Sequence, residues 1–112
     1  ENSRAAIRAA LAAGHGIEID LQLCSDGCAL VFHDDDLDRL AQASGPVRAL
    51  SQAALRATAL KGGDGEGIPD LAEVLALIDG QVPLSTARWA RPTAGWNRPL
   101  LRRWHNIPGR WR

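Results

Sequence analysis

The chain has 112 residues, enough for one modest domain, and its 13 Lys and Arg residues balance its 13 Asp and Glu residues. No apolar run reaches the roughly 18 residues of a transmembrane helix, and no charged, apolar and small-residue signal sequence opens the chain. These features predict a cytoplasmic protein without a transmembrane segment. The first residue is Glu1 and not Met, which leaves open an upstream segment that carries targeting information.

The charge is divided unequally along the chain. Residues 1–84 hold all 13 acidic residues and only six basic ones, for a net charge of −7. Residues 85–112 hold seven arginines, no acidic residue and all four tryptophans, for a net charge of +7. The composition therefore predicts a folded domain over residues 1–84 and a basic tail, rich in Arg, Trp and Pro, over residues 85–112.

The N-terminal part predicts a helix followed by a strand. Asn2 or Ser3 can cap the helix through a side-chain oxygen, and Ala-rich sequence runs on to Ala13. Gly14 is suited to the position after a helix, where it ends the helical turn. Residues 17–23 then alternate apolar and polar side chains, which is the period of a strand with one buried face.

A tight turn follows this strand. Its sequence is Ser-Asp-Gly at 25–27, and it leads to a second short apolar strand over residues 29–32. Cys24 and Cys28 flank the turn. Two cysteines are too few for a disulfide framework, and no second pair at metal spacing accompanies them, so we expect free thiols.

The second half of the acidic segment predicts loops and short helices. The predicted elements are a loop over 41–49, a short helix capped by Ser51, a glycine-rich connection over 62–67, and a helix over 71–78 with Asp70 and Glu73 as its capping box. A last strand begins at 81–84. This order of elements is typical of an α/β protein with crossover connections.

Side chains at the ends of the two predicted strands are candidates for chemistry. Glu18 and Asp20 are two residues apart, so both leave the same face of their strand. His33 follows the second strand, and Asp34 can orient its ring. Carboxylate oxygens suit Mg²⁺ or Ca²⁺, and a histidine exchanges protons near neutral pH. Acids on the solvent face of a strand are also common, so the spacing alone leaves both interpretations open.

Several short motifs occur in continuous order from Glu1 to about Leu84. They are Glu1-Asn2-Ser3, the run from Ala13 to Leu23, Ser25-Asp26-Gly27, Val31-Phe32-His33-Asp34, Leu37-Asp38-Arg39, Gly45-Pro46-Val47, and Ile68-Pro69 with the helix after it. Together they resemble the glycerophosphodiester phosphodiesterase family. The Glu-x-Asp and His-Asp motifs are the specific part of this resemblance.

The resemblance implies an α/β fold, a partial (β/α)₈ TIM barrel, and an enzyme of lipid metabolism that hydrolyses glycerophosphodiesters to an alcohol and glycerol 3-phosphate. It implies a divalent cation, Ca²⁺ or Mg²⁺, held by Glu18 and Asp20 together with a Glu from the next barrel strand. It also implies two acid–base histidines, one of which is His33, with Asp34 in support. No further cofactor and no nucleic-acid partner are expected, and the oligomeric state is left open.

The chain also departs from the family pattern. The family's His-Arg-Gly segment, which supplies the second histidine, would precede Glu1. The strand that begins at 81–84 should continue to a Glu and a Lys, yet the sequence from Ser85 onward holds no acidic residue. A complete barrel needs about 250 residues. We therefore expect a fragment that is weakly active or inactive alone, with a tail that a shifted reading frame would explain.

Two other kinds of function stay open at this point. The basic tail could make a binding module for phosphates, nucleic acid or an anionic membrane, because Arg neutralises charge and Trp stacks. Its sequence has no amphipathic period, which disfavours this hypothesis. The chain could also be a regulatory or structural partner without catalysis.

Overall fold

The computed structural model describes residues 2–89. Its elements in chain order are helix α1 (Arg4–Ala13), strand β1 (Ile17–Leu23), strand β2 (Ala29–Val31), a 3₁₀ turn (Val47–Ala49), helix α2 (Gln52–Ala57), helix α3 (Leu71–Ile78) and strand β3 (Leu84–Trp89). The strands form one sheet in the order β2-β1-β3. This is the mixed α/β order that the sequence predicts.

The central strand β1 is paired differently on its two sides. With β2 it forms an antiparallel hairpin in the register Leu21 to Val31. Gly27 closes the connecting turn with φ 77°, a left-handed conformation that glycine adopts without steric cost. With β3 the pairing is parallel, which requires the long crossover that includes α2 and α3.

One hydrophobic core lies between the sheet, α1 and α3. The side chain of Ser3 caps α1 by accepting a hydrogen bond from the Ala6 N–H, and Asp70 caps α3 by accepting one from Glu73. Both helices then bury one apolar stripe against the apolar face of β1. The buried residues of this core are Ile7, Ile17, Ile19, Leu21, Val31, Leu71, Val74, Ile78 and Leu84.

A second core lies beneath the long segment between β2 and α3. The sequence predicts mostly loop here, yet the segment buries an apolar cluster of its own: Cys24, Leu30, Phe32, Leu37, Ala41, Val47, Leu55 and Ile68. These residues follow neither a helical nor a strand period, so no local pattern indicates their burial. The segment is consequently an ordered layer over one end of the hairpin.

Strand β3 extends beyond the predicted domain boundary. The sequence places the end of the folded domain at Leu84, whereas the structure continues the strand through Trp89. The pairing begins where the Ile17 N–H donates to the Pro83 carbonyl at 2.8 Å. Because parallel pairing joins main-chain groups, it does not depend on which side chains follow. The change of composition at 84 therefore does not coincide with the end of the sheet.

The remaining predictions about the tail fall on residues 90–112, which lie outside the described residues. They concern its lack of a packed core and its binding to phosphates, nucleic acid or membranes. Between residues 2 and 89, no helix has the length and apolar character needed to cross a membrane.

Candidate functional site

The polar face of β1 carries the predicted pair of carboxylates. Ile17 and Ile19 point into the core, while Glu18 is exposed and Asp20 is half-buried on the opposite face. Glu18 and Asp20 line one cavity of about 790 Å³, and His33 lines the same cavity. The structure thus brings together the three side chains that the i, i+2 spacing and the single turn predict to be neighbours.

The hairpin places His33 beside this pair. The backbone N–H of Phe32 donates to the carbonyl oxygen of Asp20 at 3.0 Å, so the chain leaving β2 still lies beside β1 at the position of the second carboxylate. Phe32 is 1% exposed, and its side chain is buried in the second core. His33 is the next residue and emerges at the cavity with its side chain 39% exposed.

Asn2 holds the carboxylate of Asp20. Its side-chain N–H donates to Asp20 Oδ2 at 3.1 Å, and its side-chain oxygen accepts from the Asp20 backbone N–H at 3.2 Å. Asn2 has φ 53°, a conformation in which Asn is found more often than other non-glycine residues. The sequence offers Asn2 or Ser3 as the helix cap; Ser3 fills that role, and Asn2 orients a site residue.

Asp34 lies between His33 and Arg39. Asp34 Oδ1 is 2.6 Å from His33 Nδ1, and Arg39 donates from Nε to Oδ2 and from Nη2 to Oδ1, each at 2.7 Å. Hydrogen bonds from Arg39 and then from His33 lower the pKa of Asp34 to about 2. Asp34 is therefore an anion at neutral pH that fixes the orientation of the His33 ring, as the sequence suggests.

Arg39 is a site residue that sequence reasoning missed. It appears in the sequence only as part of a family-like Leu-Asp-Arg motif. Its side chain is 59% exposed, yet two of its guanidinium nitrogens, Nε and Nη2, donate hydrogen bonds to Asp34. Asp34 and Arg39 are five positions apart in irregular backbone, so neither helical nor strand spacing could have paired them.

The site has ligands of the type that a hard divalent cation prefers, but the described residues supply too few of them. Glu18 and Asp20 offer carboxylate oxygens, the ligands that Ca²⁺ and Mg²⁺ prefer. Across residues 2–89, however, no group of three or more His, Cys, Asp or Glu side chains is arranged to hold a metal ion. On β3, Ser85 stands opposite Glu18 and Thr86 opposite Ile19. Further ligands would have to be water, substrate oxygens or groups outside the described residues.

Comparisons with known proteins bear on the fold and the family of this chain. The fold and site define a fragment of an α/β barrel that carries two carboxylates and a His–Asp pair at one cavity. A profile of the glycerophosphoryl diester phosphodiesterase family matches residues 1–89. The chain belongs to this family.

Individual relatives show how much of the family domain is represented. A glycerophosphodiester phosphodiesterase of Caldanaerobacter subterraneus subsp. tengcongensis is 38% identical over 84 residues, which cover 70% of this chain and 35% of that protein. The crystal structure of a glycerophosphoryl diester phosphodiesterase from Parabacteroides distasonis superposes with a TM-score of 0.80 at 25% identity, covering 97% of this chain and 40% of the other.

A third relative was solved with a ligand. It is a phosphodiesterase of Oleispira antarctica in complex with the product sn-glycerol-3-phosphate, with a TM-score of 0.58 at 25% identity over 72% of this chain and 38% of the other. The present chain thus spans well under half the length of each of these three proteins.

Proposed function

We propose that this chain is part of an enzyme that hydrolyses glycerophosphodiesters to an alcohol and glycerol 3-phosphate. The observation that carries the proposal is the meeting of Glu18, Asp20 and His33 at one cavity. Membership of the family and the glycerol 3-phosphate bound by the Oleispira antarctica relative support the choice of substrate. The prediction of a cytoplasmic location stays a prediction.

Glu18 and Asp20 would hold the divalent cation, Ca²⁺ or Mg²⁺. When bound, such a cation neutralises charge on the phosphoryl oxygens. Asn2 accepts a hydrogen bond from the Asp20 backbone N–H and donates one to the Asp20 carboxylate, so this carboxylate is positioned before any ligand arrives. Glu18 is exposed on the same strand face and can turn toward the phosphoryl group.

His33 would exchange the proton with the departing alcohol. With Nδ1 bonded to Asp34, the ring nitrogen that exchanges protons with the substrate is Nε2. The anionic Asp34 stabilises the protonated imidazole and holds the ring, and Arg39 keeps Asp34 in place. Protonation of the leaving alkoxide by a positioned histidine contributes a factor of about 10²–10⁴ in rate.

The 112-residue chain by itself should be weakly active or inactive. Residues 2–89 offer two carboxylate ligands and one acid–base histidine, whereas the family resemblance calls for a third carboxylate and a second histidine. Mg²⁺ gives up its water shell reluctantly, so two carboxylates in an open cavity hold it weakly.

The test compares two proteins, the 112-residue chain and a longer chain extended with a family-type His-Arg-Gly segment and a complete barrel. Glycerophosphodiester hydrolysis is measured with Ca²⁺ and with Mg²⁺. We expect turnover from the longer chain and its loss by a factor of about 10²–10⁴ on His33→Ala. Glu18→Gln and Asp20→Asn should also abolish activity.

Asp79→Asn is the matched control. Asp79 ends α3 in the left-handed conformation that Asn also adopts, and it lies outside both strands of the site. Its substitution should leave activity unchanged. Robust metal-dependent turnover by the 112-residue chain itself would show that a third carboxylate and a second histidine are not needed. If the longer chain keeps its full activity after His33→Ala, His33 does not have the proton-transfer role assigned to it.

A further inference from the structure

A second cavity opens on the other side of His33. It has a volume of about 560 Å³ and shares only Asn2 and His33 with the carboxylate cavity. Its remaining lining comes from the beginning of the chain, from the segment after β2, and from the glycine-rich connection with the two residues before it: Ser3, Ala5, Arg8, Phe32, Leu40, Leu60, Lys61, Gly62, Gly63, Asp64 and Glu66. Glu18 and Asp20 line the carboxylate cavity but not the second cavity.

This division has a consequence that rests on the proposed function. If the phosphoryl group lies with Glu18 and Asp20, the alkoxide that His33 protonates is on the His33 side of the phosphorus. A substituent continuing in that direction passes His33 and enters the second cavity. Nothing in the proposed reaction otherwise uses this cavity or the glycine-rich connection that forms its wall.

The charged groups of the second cavity are of both signs. Arg8 and Lys61 are exposed cations, and Lys61 donates to the carbonyl oxygen of Asp38, which fixes the position of its charge. Asp64 and Glu66 are the acidic members. Glu66 lies 3.7 Å from Arg4 and accepts from the Ala5 N–H at 3.5 Å, so it too is held in place. Lys61 and Glu66 are therefore held in place, and Arg8 and Asp64 add a second cation and a second anion to the same cavity.

We propose that the second cavity binds the alcohol part of the diester, and that it selects a polyhydroxyl alcohol such as glycerol or inositol. A hydroxyl group both donates and accepts hydrogen bonds, so a polyol can use the Lys61 and Arg8 donors and the Asp64 acceptor together. A quaternary ammonium such as choline donates none and is recognised by aromatic faces. Among the described residues that line this cavity, the ring of Phe32 is only 1% exposed, and the ring of His33 is bonded to Asp34.

The test is an NMR titration of the ¹⁵N-labelled 112-residue chain, so it needs no turnover. The ligands are glycerol 3-phosphate, glycerophosphoinositol and glycerophosphocholine, in the presence of Mg²⁺. We expect glycerol 3-phosphate to shift the amide signals of Glu18 and Asp20. Glycerophosphoinositol should shift these and also the signals of Gly62 and Gly63, and it should bind more tightly than glycerophosphocholine.

Three variants sharpen the test. Asp64→Ala and Lys61→Met should each weaken glycerophosphoinositol binding about fivefold, the size expected for one lost hydrogen bond. Gly63→Leu should weaken it further, because a Cβ at Gly63 meets nothing within 4 Å and a larger side chain would grow into the cavity. All three variants should bind glycerol 3-phosphate as tightly as the natural chain does. The control Asp79→Asn should bind both ligands as tightly as the natural chain does.

The outcomes separate this proposal from the proposed function. If glycerophosphoinositol shifts Glu18 and Asp20 but neither Gly62 nor Gly63, the second cavity is not the alcohol site, while the reaction assigned to the first cavity stands. Equal or tighter binding of glycerophosphocholine would overturn the preference for a polyol. If no ligand moves any of these signals, the second cavity is not the alcohol site, and the proposed function is decided by the hydrolysis measurement on the longer chain.

Discussion

Arg4 of α1 and Glu73 of α3, which are 69 residues apart in sequence, form a bidentate ion pair. Arg4 donates from Nε to Glu73 Oε1 at 2.6 Å and from Nη2 to Oε2 at 2.7 Å, and its Nη1 donates to the Gly67 carbonyl at 2.7 Å. The hydrogen bond from Arg4 lowers the pKa of Glu73. This one side chain joins the two helices that cover the sheet to the end of the glycine-rich connection.

Loss of the Arg4 side chain should destabilise the fold. The Arg4 side chain is 16% exposed and that of Glu73 is 34% exposed, so the pair is only partly screened by water. We expect Arg4→Ala to lower the free energy of unfolding by about 1–2 kcal/mol. Urea denaturation measures this, with Arg8→Ala as control because Arg8 is exposed on the same helix. An Arg4→Ala chain as stable as the Arg8→Ala chain would show that the pair contributes nothing.

The contribution of Asp34 to stability should disappear in acid. Its pKa in the folded chain is about 2, below the ordinary value of 3.8. A lowered carboxyl pKa stabilises the folded state above the unfolded pKa, and this stabilisation is lost as the pH falls from about 4 to about 2. The difference in unfolding free energy between the natural chain and Arg39→Gln should therefore be full at pH 5 and shrink steadily below pH 4.

Glu73 also has a lowered pKa, so acid weakens both chains. The Arg39→Gln comparison removes this shared effect, because the Arg4–Glu73 pair is intact in each. A stability difference that stays constant from pH 5 to pH 2 would contradict the assignment of the lowered pKa to Arg39.

Divalent cations should bind the 112-residue chain weakly, and through β1. Two carboxylates without a third support a dissociation constant of roughly 10⁻³ M or weaker for Ca²⁺. Calorimetric titration with Ca²⁺ and Mg²⁺ measures it. Asp20→Asn and Glu18→Gln should each remove binding, and Asn2→Ala should weaken it because Asp20 loses both of its orienting hydrogen bonds. Micromolar binding that survives Asp20→Asn would place the cation elsewhere.

Gly67 should tolerate no side chain. A Cβ built there would lie 1.7 Å from the carbonyl oxygen of Arg56, a main-chain atom that cannot turn aside. We expect Gly67→Ala to cost about 3 kcal/mol or more, because α2 must shift. Gly63→Ala is the matched control in the same connection, since a Cβ there has open space. Thermal unfolding compares the two, and equal melting temperatures would mean that the chain relaxes around Gly67 at little cost.

Long-range contacts could not be predicted from the sequence. The pairing of Asn2 with Asp20 spans 18 residues, and Arg39 reaches Asp34 across irregular backbone. Neither follows a helical or strand period, so no local rule connects the partners. The second core beneath the segment after β2 was missed for the same reason: its members come from β2, α2 and the loops around them, and they become neighbours only in the folded chain.

Local features, in contrast, were determined by the sequence alone. Ser51 and Asp70 cap their helices as predicted, and Ser3, one of the two predicted candidates, caps α1, because each bond reaches only three residues along the chain. The predicted return bond from Glu73 to Asp70 is replaced by the ion pair of Glu73 with Arg4. The alternation of β1 likewise set Glu18 and Asp20 on one face, since side chains of a strand alternate whatever lies beside them. What lies beside β1 was decided by the tertiary structure. Main-chain pairing extended β3 through residues of unexpected composition, and folding supplied Asn2, Asp34 and Arg39 as the supports of the site.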